Sequence, residues 1–287
     1  MKKSAILFAM GLLCAGLTAA APLFPYILGN AIEGDLATVE AEVRTVLEAA
    51  GFEVVGGYSP YDGAMVVVVT HPEQLKVAAG SEMGGFGAAI RVGMTRNGDN
   101  IEISYNTPAW VAGIMRLEND LAPVSRALDG ALGNTLTFGS KKGKEYAKLK
   151  KYHYMAFMPY FDDAVEVASH DSHQAAVEAV EAGLAAGKGG TAKVYRVDIP
   201  GKDEVLFGVA LAEGEGADAT VMETTDTGEP KHTAHLPYDL LVSGSNVYTL
   251  HGKFRIAQSF PDLGMGTFMK ISGAPKAIHE AMEAAAN

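Results

Sequence analysis

Apolar and polar positions recur along this chain with two different periods, and the switches between them mark out helices and strands. Val39, Val43, Val46, Leu47 and Ala50 follow the i, i+4, i+7, i+8 spacing of one helical face. Asp35 or Thr38 can cap that helix, and Gly51 ends it. Phe52 to Gly57 then reads as a strand, and Met65 to Thr70 as a Val-rich strand buried on both faces. His71-Pro72 stops the run, and a short helix through Leu75 to Ala79 is expected. Ala88 to Thr95 and Asn100 to Asn106 flank Asn97-Gly98, a strong hairpin signal. One further helix is expected from Leu117 to Leu132, ending at Gly133.

The second half repeats this order. Asp171 can cap a helix carrying Val177, Val180 and Leu184 on one face, and Gly187 to Gly190 end it. Ala192 to Asp198 and Val205 to Leu211 read as strands. Tyr238 to Ser243 and Asn246 to Gln258 form a second hairpin about Gly244-Ser245, and a terminal helix starts at Ala274. The same sequence of elements thus recurs at an offset of roughly 140 residues, the pattern of a tandem duplication. The fold class expected is α+β: two related helix-on-antiparallel-sheet sandwich domains, at 21–138 and 152–287. Between them, 139–151 holds six lysines in thirteen residues and reads as a solvated linker, with docking to an acidic partner as its sharper reading.

The N-terminus changes the picture of where such a chain works. Lys2 and Lys3 precede an apolar run from Ala5 to Leu17, and Thr18-Ala19-Ala20-Ala21 offers small residues for cleavage after Ala20. This is the three-part pattern of a secretory signal peptide over 1–20, which directs the mature chain to the periplasm or the exterior. The apolar run is too short for a membrane span, and no later run approaches that length, so no membrane association is expected after cleavage. Cys14 falls inside the signal behind the bulky Leu13, a poor setting for a lipoprotein anchor. The mature chain then lacks cysteine, which excludes disulfides, thiolate metal sites, attached c-type haem and a cysteine nucleophile. Losing Lys2 and Lys3 takes the formal charge from −11 to −13. So acidic a chain repels nucleic acid.

Some of these residues carry a resemblance. Met65-Val66-Val67-Val68-Val69-Thr70-His71-Pro72-Glu73, Ile90-Arg91-Val92-Gly93, Asn97-Gly98-Asp99 and Ile103-Ser104-Tyr105-Asn106-Thr107-Pro108 resemble domain-of-unknown-function family 302 over Leu36 to Gly133. In that family a strand ends near Asn-Pro, and a Leu-Arg-Val-like strand pairs with one ending near Tyr-Asn-x-Pro. His71 replaces the usual Asn, and the lead into the arginine strand reads Gly84-Gly85-Phe86-Gly87. In the second half, Phe254-Arg255-Ile256 and Phe260-Pro261-Asp262 are distant echoes. The resemblance implies a compact α+β fold able to pair into homodimers, and no established reaction.

Candidate chemistry is sparse. Gly84-Gly85-Phe86-Gly87 lacks the Lys-Ser/Thr that follows a phosphate-cradling loop, and no Gly-x-Ser-x-Gly occurs. No catalytic residue is assigned. His170 and His173, with His232 and His235, form two pairs spaced three apart. Such imidazoles can share one zinc, copper or nickel ion; His153, Met155 and Met158 lie near the first pair, and the methionines would favour Cu(I). Asp171 already serves as a helix cap in the competing reading, in which these are surface histidines near turns. The Met- and aromatic-rich runs at 155–161 and 260–269 read as core, or as a cleft for haem or another apolar ligand. Arg91 and Arg255 fall near the centres of expected strands; their first reading is a side chain pointing to solvent, and an inward-facing guanidinium would need a carboxylate or an anionic ligand. The expectation is therefore an exported, non-enzymatic binding or accessory module for a small ligand or protein partner. The alternative is a periplasmic metal- or haem-handling protein.

Overall fold

The computed structural model describes residues 21–287; the leader expected over 1–20 lies outside them. The first half runs β1 (Tyr26–Leu28), β2 (Ile32–Glu33), α1 (Leu36–Ala49), β3 (Glu53–Tyr58), β4 (Ala64–Thr70), α2 (Pro72–Gly80), β5 (Ile90–Asn97), β6 (Asn100–Asn106), α3 (Pro108–Ile114), α4 (Ala122–Leu132) and β7 (Leu136–Phe138). After α5 (Tyr146–Leu149), the second half runs β8 (Val165–Ser169), α6 (His173–Ala185), β9 (Thr191–Asp198), β10 (Glu204–Leu211), α7 (Asp218–Thr225), β11 (Tyr238–Ser243), β12 (Asn246–Thr249), α8 (Gly252–Ser259), α9 (Met265–Lys270) and α10 (Ala274–Ala286). The class is α+β, as expected. Among the described residues no helix is long and apolar enough to cross a membrane.

The two halves join their strands into one antiparallel sheet of order β7-β1-β6-β5-β4-β3-β9-β10-β11-β12-β8, with β2 beside β6. Around the junction the order is mirrored: β5-β4-β3 on one side, β9-β10-β11 on the other. The junction itself is slight, with Gly56 and Tyr195 as its one bridged pair. On each side of it lies a register shift, between Val54 and Gly56 in β3 and opposite Gly208/Val209 in β9. Such bulges bend a strand and raise its twist.

Strand alternation assigns the two faces. Val205, Phe207, Val209 and Leu211 of β10 join α6 and α10 in an apolar layer, while Leu206 shares a core with Tyr195, Val197 and Leu241. In the first half, Val39, Val43 and Leu47 of α1 and Val124, Leu128 and Leu132 of α4 pack with the strands. Asp35 caps α1, accepting the Thr38 backbone N–H at 3.0 Å.

One register row explains how the faces meet. Arg91 pairs with Val68, Val68 with Gly56, Gly56 with Tyr195, Tyr195 with Gly208, and Gly208 with Asp239. Directly paired residues point to the same side of a sheet, so all six share one face. Laid flat, the ends of this row would stand about 24 Å apart, beyond the joint reach of an arginine and an aspartate. Yet Arg91 Nη2 donates to both Asp239 oxygens, at 2.6 and 2.5 Å. The sheet is curled until the ends of the row touch. Gly208 permits it, because a Cβ there would meet the Tyr195 ring at 2.0 Å.

The Gly84–Gly87 stretch forms a 3-10 turn with a packing role: a Cβ on Gly85 would lie 2.4 Å from Leu241 of the other half, and its backbone N–H donates to Glu204 at 2.9 Å.

Several boundaries differ from expectation. The helix expected over Leu117–Leu132 starts only at Ala122, as α4, and α3 precedes it as an unexpected helix; each has a proline in its first turn, and a proline favours starting a helix there. The strand expected from Asn246 to Gln258 stops at Thr249; His251 then caps α8, accepting the Lys253 N–H at 3.2 Å. Arg255 is thereby a helix residue. Ser172, rather than Asp171, caps α6. In the lysine-rich segment the side chains of Lys141, Lys142, Lys148 and Lys151 are exposed. The segment is nonetheless fastened: Leu149 of α5 is buried against α3, and the Lys141 N–H donates to Asp262 at 2.5 Å.

Replacing Gly208 by Ala is expected to destabilise the fold by about 1–3 kcal/mol through overpacking on Tyr195. Urea unfolding checks this, and adding Tyr195→Ala should recover part of the loss, whereas additive effects would place the cost elsewhere.

Candidate functional site: a buried arginine pair between the halves

Curling the sheet brings charge into the interior. Arg91, Arg255 and Asp239 are 5%, 3% and 4% exposed, a level at which ionised groups persist only when paired. Asp239 takes both Arg91 bonds and the Tyr195 hydroxyl at 2.6 Å, while Arg255 Nε stands 3.7 Å from it. Two guanidiniums therefore share one close carboxylate.

They share it unequally. Burial works against the Arg91 charge, but Asp239 and the Tyr195 hydroxyl outweigh it and hold its pKa above the ordinary arginine value. Arg255 is pushed the other way, by burial first and then by repulsion from Arg91. Its bonds go to neutral groups: Nη1 donates to His235 Nδ1 at 2.9 Å and to Ser259 Oγ at 3.0 Å, and Nη2 to the carbonyls of Pro237, at 3.0 Å, and His235.

The next carboxylate, Asp226, is committed to His232, accepting its backbone N–H at 2.8 Å and bonding Nδ1 at 2.7 Å. Burial, reinforced by both arginines, holds the His235 pKa well below the ordinary value, so its ring is neutral. With Arg255 donating to Nδ1, the proton sits on Nε2, facing the Tyr238 hydroxyl at 3.4 Å.

Beside this cluster lies a cavity of about 20 Å³, walled by Tyr26, Arg91, Asn106, Trp110, Arg255 and Ser259 among others. That is room for one water or a small ion. Three of its wall residues carry buried donors without a hydrogen-bond partner among the described residues: Arg91 Nε, Arg255 Nε and the Tyr26 hydroxyl. Ser259 neighbours Tyr26 without completing a hydrogen bond. Buried donors are rarely left open, and three around one cavity form a receptor for an acceptor.

The sequence-expected residues fare differently. Arg91 and Arg255, read first as side chains pointing to solvent, are instead buried and meet at this cluster from opposite halves. Arg255 is the fourth residue of α8 as Val111 is of α3, and both line the cavity. Arg91 is the second residue of β5 and Asp239 the second residue of β11. Of the histidines, His232 and His235 flank Phe260, at ring-centroid distances of 4.8 and 5.2 Å. His170 Nε2 and His173 Nδ1 instead bond the backbone carbonyls of Ala286 and Gly244, each at 3.0 Å. Among the described residues no group of three or more His, Cys, Asp or Glu is placed to hold a metal ion.

Sequence reasoning missed Asp239, Tyr195 and Tyr26; an aspartate inside an apolar strand, as in Tyr238-Asp239-Leu240-Leu241-Val242, was the available signal for the first. No family model, no curated protein and no solved structure matches this chain.

Another buried carboxylate, Asp218, adjoins the cluster. Asp218 opens α7 at 2% exposure and accepts the Tyr58 hydroxyl at 2.6 Å. Burial raises its pKa from 3.8 to about 7, with the Tyr58 bond opposing. The folded chain thus keeps a proton that the unfolded chain releases, so this group favours folding most below pH 3.8. That advantage falls by roughly 1.4 kcal/mol per pH unit until the folded pKa is passed. The unfolding free energy of the wild type relative to Asp218→Asn should therefore decline between pH 4 and 7 and level off above. Chemical denaturation across that range checks it, and a pH-independent difference would contradict it.

Proposed function

We propose that this chain is an exported, non-enzymatic binding module whose ligand is a small anion of halide size, held between its two halves. One observation carries the reading: Arg255 is fully enclosed without a carboxylate of its own, and it borders a water-sized cavity with three open donors. An anion there would accept from those donors and offset the positive charge that Asp239 leaves unbalanced. In a low-dielectric interior both effects are stronger than at the surface.

Export is proposed from the leader-like residues 1–20, and membership of family 302 from the strand and turn residues between Met65 and Pro108. The mirrored order of β5-β4-β3 and β9-β10-β11 is the arrangement a tandem duplication would leave. In such a duplication the cavity would sit where two copies face each other. Its lining is asymmetric, with Arg255 and Val111 at like positions of α8 and α3, which suits one small ligand rather than two. The absence of a nucleophile–base arrangement in the sequence supports a binding role over a catalytic one.

The test is thermal unfolding at constant ionic strength, exchanging fluoride, chloride and bromide for a bulky anion too large for the cavity. Chloride should raise the midpoint saturably, by an amount corresponding to about 2.7 kcal/mol at a hundredfold excess over its dissociation constant. In Arg255→Met the halide dependence should vanish. If that variant fails to fold, anomalous scattering from bromide-soaked crystals of the wild type must show a peak between Arg255 and Tyr26. An empty cavity, or an undiminished chloride effect in Arg255→Met, would overturn the proposal.

A further inference from the structure

A second cavity, far larger, opens at the other end of α8. It has a volume of about 460 Å³ and lies between the start of β8, the β12–α8 connection and the first turns of α10. That volume falls within the range of pockets that hold small organic ligands. Its apolar wall is built from Val165, Leu250, Pro275 and Ile278. Its polar wall consists of His251, Lys253, Ser272, Lys276 and His279, with Thr249, and among the described residues no aspartate or glutamate lines it. In a chain of formal charge −11, a concavity lined by two lysines and two histidines without an acidic residue runs against the overall balance.

The donors are only partly committed. His251 spends Nδ1 on the Lys253 N–H at 3.2 Å, which leaves its Nε2–H free. His279 Nδ1 is buried with no hydrogen-bond partner among the described residues. Lys276 pairs with Glu280 at 3.1 Å across an exposed helix turn, a bond worth little against a ligand because solvent screens it. Burial holds the His251 pKa below the ordinary histidine value, with Lys253 and His279 acting in the same direction and Asp163 opposing.

We infer that this cavity binds an amphipathic organic anion, a single acidic head on an apolar chain or ring. The head would lie among Lys253, Lys276 and His279, and the body would lie on Val165, Leu250, Pro275 and Ile278. A bare inorganic anion leaves the apolar wall wet, and a neutral hydrocarbon leaves the cationic wall unused. This ligand differs in class from the halide-sized ion proposed for the Arg255 cavity, and the two sites share only α8.

Three probes separate the contributions: octanoate, with head and body; 1-octanol, with the body alone; and acetate, with the head alone. Each is titrated into the mature chain by calorimetry, with the histidine ring resonances followed by NMR. Octanoate should bind at one site and shift the His251 and His279 resonances, with octanol and acetate at least about tenfold weaker. The double variant Lys253→Gln, Lys276→Gln changes two side chains reaching solvent, and it should weaken octanoate at least about tenfold while leaving the unfolding midpoint in place. Octanol binding as tightly as octanoate, undiminished octanoate binding in the double variant, or no shift of His251 and His279 would each overturn the inference. The chloride dependence of stability, which reports on Arg255, is unaffected by any of these outcomes.

Discussion

The contact between Arg91 and Asp239 is the constraint on which the rest of this structure depends. These residues stand at the two ends of one register row six strands wide, and they meet because the sheet curls back on itself. Both are enclosed, so the pair must remain intact: removing one member of a buried ion pair typically costs 3–5 kcal/mol. The features that allow the curl lie along the same row. Two register shifts flank the junction, one bridged pair spans it, and Gly208 leaves room for the Tyr195 ring. Tyr195 then turns its hydroxyl to Asp239 and completes the carboxylate's bonding.

The chemical character of the interior follows from that closure. Outer faces of the strands alternate into apolar layers under the helices, while the enclosed faces bring Arg91, Thr95 and Asn106 of one half against Thr233, His235 and Asp239 of the other. Thr95 and Thr233 bond at 2.5 Å, and Asn106 Nδ2 donates to the Ala234 carbonyl at 2.9 Å. Arg255 is left in imbalance, hydrogen-bonded to neutral partners, sharing Asp239 only at 3.7 Å and repelled by Arg91. A charge left in that condition is either neutralised or provided with a counter-ion, and the adjoining cavity with its open donors provides the place for one.

Much of this was legible in the chain. The helical stripe behind Asp35, the Val-rich strand, the Asn97-Gly98 hairpin and the strands over 192–198 and 205–211 rest on local periodicity and turn chemistry, which need no knowledge of tertiary context. The misread segments were those where local signals are ambiguous. Three-residue strands such as β1 and β7 are too short to show a period. The apolar positions of Phe254, Ile256 and Ala257 fit either a strand or the helix that His251 caps. The site was half legible. Arg91 and Arg255 stood out as charges among apolar residues, but their meeting depends on a register 148 positions apart in sequence for Arg91 and Asp239. The spacing of three in His232 and His235 did bring both rings to Phe260, but each already has a hydrogen-bond partner.

The most direct test of this account is a double-mutant cycle on the row's closing contact, with Arg91→Met, Asp239→Leu and both together, measured by chemical unfolding. Each single change strands a buried charge, and the double change leaves an apolar pair of similar volume. The account predicts that the double variant loses less stability than the two single losses combined, by about 2 kcal/mol or more. Additive losses would mean that Arg91 and Asp239 do not act on each other, and that something other than this ion pair holds the curled sheet closed.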